Sequence, residues 1–377
     1  MAQEKKSKKS GIERAMLRLA SFQYKHYKKV VIVSMLLTVF FAFGALTQLE
    51  FEGDTNKEMP QDHPTFALNN KVNDKFPGDA ILTVVTTNEG TGSRDIVYDV
   101  RDPKVILSVV DLANQLEAES NVDSVVSVAP LFEEDIPQNL EGVKERLALV
   151  PSTEELFNDD YSITLVAATL GQKLTEPDDI GRAMDMITTD IAAITKPAGV
   201  DYPITGIPPI TYVIVKIMKE DMVLTTTVAA LLILVLLRVV LWSSKKAILV
   251  FIPLLFGILW TFGIMAFAGI KVSLASVGIG AIIVGLATEY GIFMVTNYFD
   301  ARKQGKDAQE SLNLAVGMIG TTTFSSALTT TAAFLALTIS IIPMMQHLGE
   351  TLALGIVCCW VNAVIINPCF ILFQDRK

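Results

Sequence analysis

Six long apolar segments limit what this chain can fold into. Together they contain a single charged residue, Glu289, and a helix of roughly 20 apolar residues is enough to cross a bilayer core about 30 Å thick. The segments are Val30–Leu46, Met222–Leu237, Ala247–Ile270, Val272–Phe299, Leu314–Ile342 and Thr351–Phe373. We therefore predict an α-helical membrane protein with six transmembrane helices.

Basic residues lie at alternate ends of these segments. Residues 1–29 hold nine basic and two acidic residues, and the connection Arg238–Lys246 holds three basic residues and no acid. The connection Asp300–Glu310 holds three basic residues, and the chain ends in Arg376–Lys377. Because basic flanks stay in the cytoplasm, both termini are expected there, in a multi-pass protein of the cell (plasma) membrane. No small-residue cleavage site follows the first segment, so it is interpreted as a retained signal anchor.

The stretch between the first two segments has a soluble composition. Residues 50–212 hold 30 acidic and 11 basic residues, a net charge of −19, whereas the whole chain carries −9. An acidic domain without a clustered basic face does not favour nucleic-acid binding. The expected plan is a basic cytoplasmic segment (1–29), transmembrane helix 1 (30–49), an extracytoplasmic domain (50–212) and helices 2–6 with a short tail (213–377).

Hydrophobic periodicity predicts the fold of that extracytoplasmic domain. Its elements follow the order β-α-β, a mainly helical insertion at about 131–160, and β-α-β. This order is typical of an α+β ferredoxin-like (split βαβ) domain. The residues Gly53–Pro64 are expected to form a tether. The predicted strands are 80–87, 121–129, 162–170 and 200–205, and the predicted helices are 103–118 and 178–195.

Nothing in the sequence favours catalysis or a bound cofactor. All three cysteines lie in the last apolar segment without metal-binding spacing. No nucleophile–base pair, metal cluster or phosphate-binding loop is evident, so we predict that the chain is not an enzyme.

Glu289 is the most informative residue. It lies in GLATEYGIF (285–293), about 5 Å along the helix axis from the middle of its segment. A charge at that depth costs about 3 kcal/mol on insertion scales. A carboxyl group in low dielectric can bind and release a proton near neutral pH, which predicts a proton carrier. The structural alternative is a neutral Glu hydrogen-bonded between helices.

Polar and small residues surround Glu289 in the sequence. Tyr290 is its neighbour, and Gly285 and Gly291 allow close approach of another helix. The fifth segment contains TTTFSSALTTT (321–331), in which four hydroxyl residues share one helical face. We predict that they line a proton relay; the alternative is that they bond the backbone of their own helix. The predicted relay consists of Glu289, Tyr290, Thr322, Ser326, Thr329 and Thr330.

These motifs together resemble half of a resistance-nodulation-division (RND) transporter, in its MMPL and Patched-like branch. The matching motifs are DTNKEMPQDHPTF, ITGIPPI, GLATEYGIFMVTNYFDAR, AAFLAL after the Thr/Ser run, QHLGETLALG and NPCFIL. The resemblance implies proton-driven export of lipids or other hydrophobic molecules, with an outer porter domain and a proton-carrying carboxylate at Glu289 beside Tyr290. The usual carboxylate in that family is Asp, one methylene shorter than Glu.

The resemblance also predicts a partner. Full-length members contain two six-span repeats, whereas this chain contains one. We therefore expect a homodimer about a two-fold axis normal to the membrane, with its two Glu289–Tyr290 pairs facing each other. Protons would be the coupling ion and no other cofactor is expected. The alternatives are a lipid- or sterol-binding sensor or scaffold of the same fold without net transport, and a Sec-type accessory subunit.

Overall fold

The computed structural model describes residues 11–53, 57–61, 63, 64, 66, 80–87, 96–171, 174 and 177–376, apart from the side chains of residues 152 and 177. Parts of the predicted tether, residues 54–56 and 62, lie outside the described residues. The chain forms two compact units. One comprises Met1–Gln61 and Ile217–Lys377, and the other comprises Asp62–Lys216.

The second unit contains a small antiparallel sheet. Its strands are paired in the order β2-β3-β1-β4, and β5 also pairs with β1. In β1 and β3 alternate side chains are buried, as expected for a sheet with one covered face. The strands are β1 (Ala80–Thr87), β2 (Val122–Val126), β3 (Ile163–Leu170), β4 (Val200–Asp201) and β5 (Ile204–Thr205).

Helices complete this unit. They comprise Pro103–Ala118, Leu140–Ala148 and Pro177–Ala193, with a 3₁₀ turn at Pro151–Leu156. The helix Pro103–Ala118 begins where Asp102 caps the backbone N–H of Lys104, with Pro at the first helical turn. Its buried stripe packs with the sheet and with the helix Pro177–Ala193 in one core, which includes Ile81, Val85, Val109, Leu112 and Ile187.

Most of the predicted elements of this unit are confirmed. Strand 80–87 and helix 103–118 have the predicted bounds, and the insertion is helical at Leu140–Ala148. The continuous strand predicted at 200–205 is wrong, because Pro203 divides it into two short strands. Pro203 has no N–H to give to the sheet, although its carbonyl accepts a hydrogen bond from Val84 N at 2.9 Å.

The first unit contains the helices that are long and apolar enough to cross a membrane. Within the described part of the chain there are six, as predicted. The second of them begins in the last ten residues of the other unit. They are span 1 (Gly11–Thr47), span 2 (Ile207–Val240), span 3 (Ser244–Ala268), span 4 (Leu274–Lys303), span 5 (Ala308–Ile339) and span 6 (Pro343–Asp375).

The helices extend beyond the apolar segments that predict them. Span 2 begins at Ile207 rather than Met222, and span 6 begins at Pro343 rather than Thr351. The helix of span 1 begins in the basic leader at Gly11, and its backbone leaves helical geometry at His26 (φ −121°, ψ 15°). Hydropathy identifies the residues suited to the hydrocarbon core. The helical backbone hydrogen bonding extends beyond those residues into the polar flanks.

A buried amide from span 1 completes the hydrogen bonding of span 6. Pro368 has no N–H, so the carbonyl of Val364 loses its helical donor, next to a π-helical turn at Asn362–Ile366. Gln23 is fully buried, and its Nε2 donates to the carbonyls of Val364 at 2.8 Å and Ile365 at 3.1 Å. Gln23 therefore supplies the donor that the proline removes.

Replacing Gln23 by Leu is expected to lower the free energy of unfolding by about 1–3 kcal/mol, because the Val364 carbonyl is left buried without a donor. Thermal unfolding of the purified protein in detergent measures the change. Ser21→Ala is the control, since this exposed hydroxyl bonds only the backbone of its own helix at Leu17. Equal melting temperatures for the two variants would contradict this role of Gln23.

Candidate functional site

Glu289 lies at the middle of span 4 and reaches a hydroxyl group of span 5. The span comprises Leu274–Lys303, which places residue 289 at its centre. Ser326 Oγ donates to Glu289 Oε1 at 3.3 Å. Ser326 is one of the hydroxyl residues that the sequence predicts near Glu289.

Helices of its own chain do not cover Glu289 in the described structure. Its side chain is exposed, on a helix face that also carries Gly285 and three exposed apolar residues, Ile282, Leu286 and Phe293. A Cβ atom added at Gly285 would meet no other atom within 4 Å. We name this surface, comprising Ile282, Gly285, Leu286, Glu289 and Phe293, the open face of span 4. Helical periodicity places these residues on one face but does not reveal whether the chain covers that face itself.

Tyr290 points into the bundle instead. Its side chain is 2% exposed and lies beside the hydroxyl groups of Ser326 and Thr330 on span 5. Successive helical residues are rotated by about 100°, so Glu289 and Tyr290 lie on different faces of span 4. Ser326 thus lies next to both side chains and joins them into one polar group.

Two of the predicted relay hydroxyls bond their own helix. Thr322 donates to the Met318 carbonyl at 3.1 Å, and Thr329 donates to the Ser326 carbonyl at 2.9 Å. Both side chains are exposed, and neither contacts Glu289 through a hydrogen bond between described residues. For these two threonines the alternative of backbone bonding is the better description. The structure therefore brings together Glu289, Tyr290, Ser326 and Thr330.

Gly291 serves helix packing away from this group. A Cβ atom there would come within 2.8 Å of Val250 Cγ1 on span 3, so the two spans approach closely only because residue 291 is glycine. Gly291 therefore holds span 4 against span 3, whereas Gly285 leaves the open face of span 4 free. Among the described residues no three His, Cys, Asp or Glu side chains converge as a metal site requires.

Unlike Glu289, the carboxylate Glu58 is buried; it lies in the predicted tether and in the motif DTNKEMPQDHPTF. It is 2% exposed and lies at the opposite end of the unit from the basic flanks. Its Oε1 accepts from Leu274 N at 3.3 Å, and its carbonyl accepts from Met344 N at 3.4 Å. The tether is thus fastened to the first residues of spans 4 and 6. The family motif contains Glu58, but its sequence does not indicate that the side chain contacts Leu274.

The Glu58 carboxyl makes the stability of this contact depend on pH. Burial raises its pKa above the usual range, against the opposing effects of the Leu274 N–H and the nearby His347. Because the pKa is raised in the folded state, the stabilisation is complete below the ordinary glutamate pKa of about 4.3 and is lost as the pH rises through the raised value.

We expect Glu58→Gln to flatten the pH dependence of the melting temperature. The variant should unfold near the wild-type temperature at pH 4 and above it at pH 8, because Gln carries no charge to desolvate. Melting curves in detergent at intervals across this range test the prediction, with the exposed Glu310→Gln as control. Parallel curves for wild type and Glu58→Gln would rule it out.

Six membrane-spanning helices with a polar group at mid-depth, and an α+β unit placed between spans 1 and 2 in the sequence, define a multi-pass membrane protein with an RND-like fold. The sequence model of the MMPL family matches residues 59–374. The chain belongs to the MMPL family.

Comparisons with individual proteins agree with this assignment. The membrane protein MJ1562 of Methanocaldococcus jannaschii is 29% identical over 365 residues, which cover 95% of this chain and 94% of the relative. The siderophore exporter MmpL5 of Mycobacterium tuberculosis is 30% identical over 125 residues, or 32% of this chain and 13% of that protein. The sulfolipid-1 exporter MmpL8 of the same species is 26% identical over 94 residues, or 25% and 9%.

A solved structure shares the fold over most of this chain. The cryo-EM structure of Disp, a hedgehog release protein from the water bear Hypsibius dujardini, matches with a TM-score of 0.61 at 15% identity. The match covers 95% of this chain but 48% of Disp, so this chain spans about half the length of that protein. It also spans only a small part of the mycobacterial exporters.

Proposed function

We propose that this protein is a homodimeric, RND-type exporter that uses the proton gradient to move lipids or other hydrophobic molecules. One observation carries the proposal: Glu289, at the middle of span 4, accepts a hydrogen bond from Ser326 of span 5 while its side chain stays on the open face. A carboxylate at that depth is costly unless it is used. Export by MmpL8 and MmpL5, as their names state, supports a hydrophobic cargo.

Protonation of Glu289 changes which group donates in this hydrogen bond. The charged carboxylate only accepts, so the Ser326 hydroxyl points towards it. A protonated carboxyl group can donate, which frees the Ser326 hydroxyl to turn towards Tyr290 or Thr330. Spans 4 and 5 therefore have two hydrogen-bonding states, selected by one proton. Moving that charge through the membrane field supplies about 2.3 kcal/mol per 100 mV.

A second copy of the chain covers the open face of span 4 in this proposal. Exposed apolar residues can face lipid, but an exposed carboxylate in the hydrocarbon core cannot do so without a large cost. A two-fold axis beside Gly285 brings the two Glu289 side chains together and shields them. Tyr290 stays inside its own bundle in this arrangement, so the carboxylates alone face each other. The match to half of Disp supports the same assembly.

The unit formed by residues 62–216 is the proposed porter domain, outside the membrane, with both termini in the cytoplasm. Its strand order β2-β3-β1-β4 and its alternating helices fit the ferredoxin-like split βαβ pattern, with a short last strand pair. In this role it takes up cargo from the membrane surface.

Reconstitution into lipid vesicles tests the function. Transfer of a fluorescent phospholipid that depends on an imposed pH gradient is the expected result. Lipid binding without gradient-dependent transfer would instead identify a sensor or scaffold of the same fold.

A further inference from the structure

A cavity of about 380 Å³ lies at the basic end of the membrane unit, where spans 3, 4 and 6 have their ends. It is a shallow depression, largely open to solvent. Four of its lining side chains are cationic and one is a carboxylate, so the lining carries a net charge of about +3. The charged and aromatic lining residues are Lys246, Phe299, Arg302, Lys303, Lys306 and Asp375.

The backbone holds the wall of this cavity in a defined shape. Gly305 follows the end of span 4 in the left-handed conformation (φ 84°), which glycine adopts without strain. The N–H of Gly305 bonds the Arg302 carbonyl at 3.1 Å, and the N–H of Lys306 bonds the Ala301 carbonyl at 3.3 Å. This pair of bonds is a Schellman motif, which turns the chain back over the helix end. Arg302 Nη1 also donates to the Lys306 carbonyl at 3.0 Å.

Two of the four cations already have acidic partners. Arg302 Nε lies 3.0 Å from Asp375 Oδ2, an oxygen that also accepts from the Tyr298 hydroxyl at 2.8 Å. Lys303 Nζ lies 3.3 Å from Asp300 Oδ1. Asp375 and Asp300 are therefore paired with Arg302 and Lys303.

Lys246 and Lys306 have no acidic partner among the described residues. Lys246 Nζ lies over the Phe299 ring, 5.2 Å from its centroid, and both lysines are half-buried. Two partly desolvated ammonium groups beside a cavity form an attractive site for an anion. The excess charge of the cavity is therefore concentrated on these two side chains.

We propose that this cavity binds the phosphate group of an anionic membrane lipid. Basic pockets between the ends of transmembrane helices are suited to such headgroups. Lys246 lies in the first turn of span 3 and Arg302 in the last turn of span 4, so the cavity is at the depth of the headgroup layer. The Phe299 ring gives the site an apolar wall for the part of the lipid nearest the acyl chains. This binding is separate from the transport proposed for the Glu289 group.

Binding of a short-chain phosphatidylglycerol to the full-length protein in detergent tests the proposal, with phosphatidylcholine of equal chain length and inorganic phosphate as comparison ligands. We expect the double variant K246Q/K306Q to weaken phosphatidylglycerol binding about tenfold to thirtyfold, from the two lost charges. The control K29Q/K245Q removes the same charge from exposed positions of two basic flanks without altering the cavity lining. It should keep wild-type affinity.

Three results would overturn the assignment. Equal weakening in both double variants would mean that general surface charge, and not the cavity, attracts the lipid. Unchanged binding in K246Q/K306Q would place the lipid elsewhere. Inorganic phosphate binding as tightly as phosphatidylglycerol would assign the cavity to a free phosphate instead of a lipid.

Discussion

Replacing Glu289 by Gln is expected to reduce gradient-driven lipid transport to the level measured without a gradient. Gln has nearly the same shape, and its amide oxygen can still accept the hydrogen bond that Ser326 gives to Glu289 Oε1. The amide cannot take up a proton, so the two hydrogen-bonding states of spans 4 and 5 are no longer selected by the gradient. The fold should be retained, because Glu289 makes no ion pair among the described residues.

Proteoliposomes with a fluorescent phospholipid and an imposed pH gradient measure this effect. Glu350→Gln is the matched control, since Glu350 is an exposed carboxylate of span 6 away from the open face of span 4. The control should transport like wild type. Wild-type rates in the Glu289→Gln protein would remove proton coupling through this residue. Glu289→Asp should retain part of the rate, because the shorter side chain keeps the proton but lengthens the contact with Ser326.

The elements whose sequence pattern is local could be predicted well. A short run rich in β-branched residues predicted the strand Ala80–Thr87, and an apolar stripe that begins at a proline predicted the helix Pro103–Ala118. The prediction of one continuous strand at 200–205 was wrong because Pro203 interrupts the pairing between two short strands. The lengths of the apolar segments predicted the number of spans. They did not predict where the helices end, because the helices continue into the polar flanks.

The candidate site was only partly predictable. Glu289 stands out because its charge is isolated in an apolar segment, and the depth of that position follows from counting residues. Its exposure depends on which helices pack against span 4, and periodicity carries no such information. Glu58 and Gln23 were not recognised because their partners are distant in sequence. Glu58 meets Leu274, and Gln23 meets Val364, through contacts that form only in the folded bundle.

Gly285→Phe is expected to convert a dimer into a monomer and to stop transport. A Cβ atom at this position meets nothing within 4 Å in the single chain, so a phenyl ring should not disturb the fold of one protomer. Gly285 lies one helical turn from Glu289 on the open face of span 4, where the proposed partner approaches. The ring would hold the two copies apart and expose both carboxylates to lipid.

The comparison with Val228→Phe makes this result specific. Val228 is 46% exposed on span 2, among apolar residues that can face lipid without a partner. Mass measurement in detergent should show a dimer for wild type and Val228→Phe and a monomer for Gly285→Phe, with unchanged melting of each protomer. A Gly285→Phe protein that remains dimeric and active would show that the open face of span 4 is not the interface. The exposed carboxylate would then require another shield, because an uncovered Glu289 cannot remain charged in the hydrocarbon core at acceptable cost.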